Sequence, residues 1–155
     1  MTIGELALWA KKTPGILKIA EAERKRGKLI VVPMTGWDRS MTWPRTGLVW
    51  YPTSPNIPTL DAVAGYPMTG LGAQLGSFRH GIGSPHPFRL LTFKGKKAEE
   101  IKSELDKIGI AGLEFTIKSV RDQSGELIEG VYIVLSDWKA WQPTELAFEM
   151  MRLTA

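Results

Sequence analysis

Aromatic and polar side chains are interleaved between Gly36 and Thr59, a stretch that holds three of the six tryptophans and four of the ten prolines. Aromatic rings beside hydroxyl, amide and guanidinium groups are typical of sugar-binding sites, because the C–H face of a sugar stacks on the ring while its hydroxyls bind polar partners. The candidate contacts here are Trp37, Arg39, Trp43, Trp50 and Asn56. A small core formed by the tryptophans within the loop itself is an equally good interpretation.

This stretch has neither helical nor strand periodicity, and its prolines remove backbone donors and fix φ. Long loops inside compact domains are usually functional or disordered. Because disordered segments are poor in aromatic residues, the sequence predicts a long ordered loop.

Two histidines, His80 and His86, lie in a second irregular segment that runs from Gly70 to Pro87 and is rich in glycine. Two histidines without a third ligand fall short of a catalytic zinc set, so we predict no metal and no other cofactor. The glycine spacing lacks the lysine-serine pair of a phosphate-binding loop, which argues against nucleotides. A neutral His80 that donates a hydrogen bond to a ligand hydroxyl is the functional alternative.

Carboxyl groups are scarce in these loops. Glycosidases usually need two carboxyl groups on either side of the scissile bond. Asp38 is a weak catalytic candidate, since Asp61 is more naturally a first-turn helix residue and Asp137 is a weaker third choice. The chain alone supplies at most half of a catalytic pair, so whether it is an enzyme stays open.

Composition narrows the function classes. The chain has 155 residues, 43% hydrophobic and 23% charged, with a net charge of +4 and no cysteine. Most basic residues stand beside acidic ones or at expected helix ends, which predicts a solvated surface and no nucleic-acid partner. The missing cysteines exclude disulfides and thiol chemistry. No apolar run approaches the roughly 20 residues of a membrane span, and no export signal is visible.

The N-terminal elements follow from capping and periodicity. Thr2 and Glu5 form a capping box, which predicts a helix to about Ala10 with Leu6, Trp9 and Ala10 buried. We expect a second helix between Pro14 and Gly27, a strand at 28–33 buried on both faces, and a short helix from Leu60 to Tyr66 broken by Pro67.

The C-terminal elements are a strand at Phe88–Phe93, a helix at Ala98–Ile108 ended by Gly109, a hairpin of Leu113–Val120 with Gly130–Leu135, and a helix opened by Pro143. Together these patterns predict an α/β (α+β) fold. We expect a single layered domain over residues 1–155, with a small mixed sheet of about four strands, flanking helices and the long aromatic loop.

Several short segments of the sequence resemble a known protein family. The matching segments are Met1–Glu5, Val31–Met34, Gly36–Trp37, Arg39–Met41, Thr46–Leu48, Trp50, Ser54–Asn56, Pro58–Thr59, Tyr66–Pro67, Pro87–Phe88 and Gly130–Val131. They resemble the C-terminal half of the NamZ-type exo-β-N-acetylmuramidases over nearly the whole chain. The resemblance implies a bacterial, cell-wall-directed protein that is periplasmic or secreted, with a sugar cleft between an N-terminal Rossmann-like domain and a C-terminal domain.

The same resemblance implies a substrate and a partner. Family members remove terminal N-acetylmuramic acid from peptidoglycan fragments, so the expected ligand is such a fragment or an amino sugar. The expected partner is an N-terminal Rossmann-like domain or subunit, which would hold the main catalytic machinery. Arg39 would then bind the lactyl carboxylate, to which its planar guanidinium is suited.

The chain departs from the family pattern in its glycine-rich segment. Gln74 and His80 stand where the family has glutamates, Ile82 where it has arginine and Ser84 where it has threonine, while the glycines persist. This predicts altered specificity or lost catalysis.

Two functions remain. The first is one wall of a peptidoglycan-sugar cleft, formed by Trp37, Arg39, Trp43, Trp50, Asn56 and His80. The second is a non-catalytic interaction or structural domain whose aromatic loop packs on a partner.

Overall fold

The computed structural model describes residues 1–154 and divides the chain into two compact units, Met1–Leu48 and the residues from Val49 onward. The first unit contains helix α1 (Ile3–Lys12), helix α2 (Glu21–Arg26) and a 3-10 turn at Trp43–Thr46. The second contains α3 (Leu60–Leu75), β1 (Phe78–Arg79), β2 (Leu90–Phe93), α4 (Ala98–Ile108), β3 (Leu113–Arg121), β4 (Leu127–Leu135) and α5 (Glu145–Arg152). The predicted mixed α/β fold class is confirmed.

Helix α1 begins with the predicted capping box. The Thr2 hydroxyl accepts from the Glu5 amide at 3.2 Å, and the Glu5 carboxylate accepts from the Thr2 amide at 2.8 Å. The prediction of a buried side is wrong, because no residue of α1 is buried and Leu6 and Trp9 are 50% and 45% exposed. Local hydrogen bonds define the start of this helix, and its contacts with Val31 and Arg24 leave its side chains at least partly exposed.

Two further predictions for the first unit are wrong. The expected helix from Pro14 to Gly27 forms only at Glu21–Arg26, since residues 13–19 turn and bend and Gly15 has a φ of +80°. The expected buried strand at 28–33 is extended but pairs with no strand among residues 1–154. Its side chains Ile30 and Val32 are 70% and 84% exposed. A strand needs the backbone of a neighbour, and the described chain offers this segment none.

The second unit is built on a four-stranded sheet in the order β1-β2-β4-β3, with every pair antiparallel. The sheet is therefore not mixed as predicted. The hairpin of β3 and β4 was predicted, and it has the register Phe115 opposite Ile133. Alternation places Phe115, Val131 and Ile133 on one buried face, where helices α3, α4 and α5 share one core with it.

Helix α3 overturns the predicted break at Pro67, because it continues to Leu75. Proline removes one backbone donor, but close packing on both sides of the helix offsets that loss. A Cβ added at Gly72 would lie 2.8 Å from the Met150 Cβ on α5, and one added at Gly65 would lie 2.5 Å from the Phe88 carbonyl oxygen. These helical glycines allow neighbours to approach closely, so the first residues of the expected glycine-rich loop are helical.

The remaining helices and strands lie within a few residues of their predicted bounds. Helix α4 has the predicted bounds, and Gly109 ends it at a φ of +68°. The strand expected from Phe88 begins at Leu90, since Phe88 has a φ of +63°. The last helix begins two residues after Pro143, and its residues Leu146, Ala147 and Met150 are buried. No helix within residues 1–154 combines the length and apolar character needed to cross a membrane.

Candidate functional site

The aromatic stretch 36–59 contains no buried residue, and it is divided between the two units. In the first unit Trp37 and Trp43 are 39% and 38% exposed, and Trp43 opens the 3-10 turn. Both rings thus present large apolar faces that a sugar or a protein surface could cover.

Two polar candidates of the first unit already have partners. Arg39 forms an ion pair with the Glu5 carboxylate. The Asp38 carboxylate accepts from the Ser40 amide at 2.7 Å and from the Ser40 hydroxyl at 2.5 Å. These bonds to Ser40 hold the pKa of Asp38 below its usual range, because they stabilise the ionised form. Asp38 is therefore a turn-forming carboxylate and a poor proton donor.

In the second unit Trp50 and Asn56 belong to one tight turn region. The Trp50 indole donates to the Pro58 carbonyl at 3.2 Å. The backbone N–H of Asn56 donates to the Ser54 hydroxyl at 3.2 Å. Ser54 also forms an isolated β-bridge with Ile57. The turn leaves the Asn56 side chain exposed.

The third candidate of the second unit, His80, opens a closed loop that ends at Phe88. The Phe88 amide donates to the His80 carbonyl at 2.6 Å, and the Ser84 amide donates to the Gly81 carbonyl at 3.0 Å. Gly81 has a φ of +78°, and a Cβ there would lie 2.5 Å from the His86 carbonyl oxygen. Only glycine fits this position, so the glycine-rich motif sets the shape of the loop.

The His80 loop forms one side of a groove of about 680 Å³. The opposite side is the far end of the hairpin, where β4 diverges from β2, and the Gln123 amide ties that end to the Gly83 carbonyl at 2.9 Å. The groove is lined by Gln74, Arg79, His80, Ile82, Lys96 and Glu129, among others. Gln74, His80 and Ile82 are three of the four positions at which the resemblance predicted a departure from the family pattern.

The surroundings of His80 favour one protonation state and one tautomer of its ring. Its ring stacks on Phe88 with centroids 4.7 Å apart, and its Nδ1 is buried with no hydrogen-bond partner among the described residues. Burial lowers the pKa of His80, because it penalises the charged form. A neutral ring with its proton on Nε2 avoids leaving a buried N–H unpaired, so His80 is set to donate from Nε2.

Three carboxylates line the groove, those of Asp122, Glu126 and Glu129. Asp122 accepts from the Ser124 hydroxyl at 2.6 Å, the Ser124 amide at 2.8 Å and the Glu126 amide at 2.9 Å. The Ser124 hydroxyl, with those amides, holds the pKa of Asp122 low, which makes it a turn anchor. Glu129 accepts a long hydrogen bond of 3.4 Å from the Ser119 hydroxyl.

A second polar group surrounds Tyr132 on β4. The Tyr132 hydroxyl donates to Asp61 at 3.2 Å, and the Arg89 guanidinium lies 3.4 Å from the same carboxylate. The His86 ring is 4.8 Å from the Tyr132 ring, and the Lys118 ammonium is 3.5 Å from its centroid. We call these five residues the Tyr132 cluster.

Sequence reasoning missed most of these contacts. Arg79, Lys96 and Glu129 meet in the groove only because two strands diverge, and no local pattern marks that point. Arg89 and Tyr132 are equally unmarked, and Asp61 was considered only as a first-turn helix residue. The only usable signal was the pair of histidines flanking a glycine motif. Within residues 1–154 no three His, Asp or Glu side chains gather as metal ligands.

Comparison with known proteins shows which family this chain resembles. The family described as exo-β-N-acetylmuramidase NamZ matches twice, its N-terminal part over residues 1–61 and its C-terminal part over residues 64–155. The expectation that only the C-terminal half would match is therefore wrong, because the first 61 residues belong to the N-terminal part.

Two relatives agree with this result. The peptidoglycan β-N-acetylmuramidase NamZ of Bacillus subtilis is 29% identical over 98% of this chain, which spans only 35% of that protein. The crystal structure of a DUF1343 family protein from Bacteroides fragilis has a TM-score of 0.74 and 29% identity, with 96% of this chain covering 38% of that one. This chain belongs to the NamZ exo-β-N-acetylmuramidase family.

Proposed function

We propose that the groove beside His80 binds an amino sugar derived from peptidoglycan and forms one wall of a cleft of the NamZ type. The carrying observation is that the family's glycine-rich motif folds into one wall of a sugar-sized groove. Its volume of about 680 Å³ falls within the range of small-ligand sites. The Bacillus subtilis relative acts on peptidoglycan, as its name states, which supports the ligand class.

The groove has the mixed lining that a sugar requires. Ile82, Leu127 and Ile128 offer apolar surface to a ring face. Gln74 and the Nε2 of His80 can donate to hydroxyl or acetyl oxygens, while Glu129 can accept from hydroxyls. His80, standing where the family has a glutamate, supplies a neutral donor in place of an acceptor, which alters the specificity of the site.

Hydrolysis by this chain alone is not part of the proposal, because neither Asp38 nor Asp122 is a suitable acid. Glycoside hydrolysis would need carboxyl groups from the remainder of a two-part protein. Trp37, Arg39, Trp43, Trp50 and Asn56 stay as predicted sugar contacts. Arg39 ranks lowest for the lactyl carboxylate, since Glu5 already occupies its guanidinium.

Titration calorimetry with N-acetylglucosamine and N-acetylmuramic acid tests this function. We expect saturable binding that falls about tenfold in His80→Ala, the loss of roughly one hydrogen bond and its stacking contact. Trp43→Ala measures the contribution of the first unit, and Lys139→Ala is a control on an exposed lysine outside the groove. A folded protein that binds neither sugar at millimolar concentration would exclude this function.

A second candidate function, the interaction domain, is favoured by the first unit. None of the described residues from 1 to 48 is buried, and large apolar side chains such as Ile3, Ile30 and Val32 are more than two-thirds exposed. Exposed apolar side chains that form a contiguous patch are typical of protein interfaces. The partner proposed is an N-terminal Rossmann-like domain or subunit, since this unit matches the N-terminal family part.

The extended segment 28–33 is the natural contact of such a partner. It is apolar and exposed, and its residues share no ladder with another strand of the described chain. A partner sheet could add this segment as a strand. Light scattering of the wild type and of the double variant Ile30→Lys, Val32→Lys tests this: association lost in the variant supports an interface here, and a monomeric wild type argues against it.

A further inference from the structure

The Tyr132 cluster lies on the outer face of the sheet, away from the core. Its neighbours on β4, Val131 and Ile133, are completely buried, so alternation turns Tyr132 to the opposite face. Four segments converge there: the first turn of α3 with Asp61, the His80 loop with His86, and strands β3 and β4 with Lys118 and Tyr132.

Arg89 anchors the cluster and is not available to a ligand. Its side chain is 5% exposed, and it donates to the Ile133 carbonyl from Nε at 2.9 Å and from Nη2 at 2.6 Å. The guanidinium also lies 5.5 Å from the centroid of the Tyr132 ring and contacts the Asp61 carboxylate, whose side chain is 61% exposed. The buried guanidinium and the Tyr132 hydroxyl therefore hold a carboxylate that still faces solvent.

The cluster carries one uncompensated positive charge. Asp61 balances Arg89, whereas no ion pair joins Lys118 to a carboxylate within residues 1–154. Burial, followed by Lys118, holds the pKa of His86 below its ordinary value, so at neutral pH this imidazole adds no second charge. The net charge of the cluster is suited to a single anionic group.

The free donors all lie on Lys118 and His86. The three N–H groups of Lys118 and the ring nitrogens of His86 make no hydrogen bond with the described residues, and the ammonium is held over the Tyr132 face. A carboxylate fits these donors, since an ammonium and a carboxylate form a strong charge-assisted bond. The exposed oxygen of Asp61 can accept from a hydroxyl or an amide beside that carboxylate.

We propose that Lys118 and His86 form a carboxylate-binding subsite of the sugar cleft, with Asp61 accepting from the neighbouring group of the ligand. The inference rests on the proposed function, because it assumes an acidic saccharide or its attached peptide as the ligand. It replaces Arg39 as the partner of the ligand carboxylate.

Paired ligands and variants test the subsite in calorimetry with the full chain. The probes are N-acetylmuramic acid, its methyl ester, N-acetylglucosamine and N-acetylmuramoyl dipeptide. In wild type the free acid should bind about tenfold tighter than the ester, the effect of one charge-assisted bond. Lys118→Met should abolish that difference, Lys118→Arg should retain it, and the exposed control Lys139→Met should leave it unchanged.

The outcomes separate this subsite from the groove. Equal binding of acid and ester in wild type, with N-acetylglucosamine still bound in a His80-dependent manner, overturns the subsite and keeps the proposed function. Acid binding that depends on Lys118 without any His80-dependent binding keeps the subsite and overturns the groove. A Lys118-dependent preference seen only with the dipeptide supports the subsite and identifies the peptide as the source of the carboxylate.

Discussion

The two units of this chain contain similar proportions of apolar residues and use them in opposite ways. The first unit has regular helices but no buried side chain, whereas the second buries eighteen hydrophobic residues in and around one core. The capping box of α1 and the first-turn acids and last-turn bases of α2 are good local signals. The difference shows that such signals define a helix without ensuring that any of its side chains is buried.

The strongest test of this contrast removes one branched side chain from each unit. Ile133→Ala empties a site with no solvent exposure, so it should cost about 3 kcal/mol of unfolding free energy. Ile30→Ala, at a side chain 70% exposed, should change it by less than about 0.5 kcal/mol. Urea unfolding followed by circular dichroism measures both, and similar values for the two variants would refute the contrast.

A smaller effect separates packing from helix propensity inside the second unit. Gly65→Ala places a Cβ 2.5 Å from the Phe88 carbonyl oxygen and should cost about 2 kcal/mol. Gly70→Ala on the same helix meets nothing within 4 Å and should stabilise the protein by about 0.5 to 1 kcal/mol. Melting temperatures should therefore move in opposite directions. Equal gains at both positions would show that α3 is not closely packed at Gly65.

The capping box offers a local test in the first unit. Thr2→Ala removes the side-chain acceptor and should cost helix α1 about 1 kcal/mol. Thr42→Ala is the matched control, because Thr42 makes no capping bond to the 3-10 turn. Hydrogen exchange should speed up in α1 of the first variant only, while the amides of β3 and β4 stay unchanged. Faster exchange in that hairpin would mean that the two units unfold together.

The smallest effect is the pH dependence of stability that arises from the two histidines of the second unit. Burial lowers the pKa of folded His80 and His86 below the value of about 6.5 found in the unfolded chain. As the pH falls below that value, the unfolded state takes up protons first, so stability present at pH 7 is lost until the folded pKa values are passed.

Denaturant titrations between pH 7 and pH 5 measure this slope, for which His80→Gln is the informative variant. We expect His80→Gln to reduce the slope of unfolding free energy against pH, and His86→Gln to reduce it further. An unchanged slope in His80→Gln would show that its imidazole is accessible to protons in the folded state.

The residues of the candidate site show what could be predicted. His80 was found because a histidine beside a glycine motif is a local signal, and Gly81 had to be glycine wherever the loop lay. The aromatic residues 37, 43 and 50 were recognised as unusual, and the structure leaves two of them among the exposed side chains. The sequence did not identify four further residues of the site, because each contacts the site only through neighbours that are distant in sequence. These are Arg79, Lys96, Lys118 and Tyr132.

Elements whose hydrogen-bonding partners lie within a few residues could be predicted from residue order alone. The Thr2–Glu5 capping box, helix α4 with its left-handed Gly109 and the alternating hairpin of β3 and β4 are of this kind. Their hydrogen bonds and periodicity are local, so they can be read directly from residue order.

The features that could not be predicted depend on contacts between segments that are distant in sequence. Helix α3 passes through Pro67 because Gly65 and Gly72 allow close contacts that compensate a lost hydrogen bond. The segment 28–33 has the composition of a buried strand, yet it stays exposed because no described strand pairs with it. The physical reason is the same in both cases: burial and strand pairing are properties of two segments, and a single segment specifies only its own half of the contact.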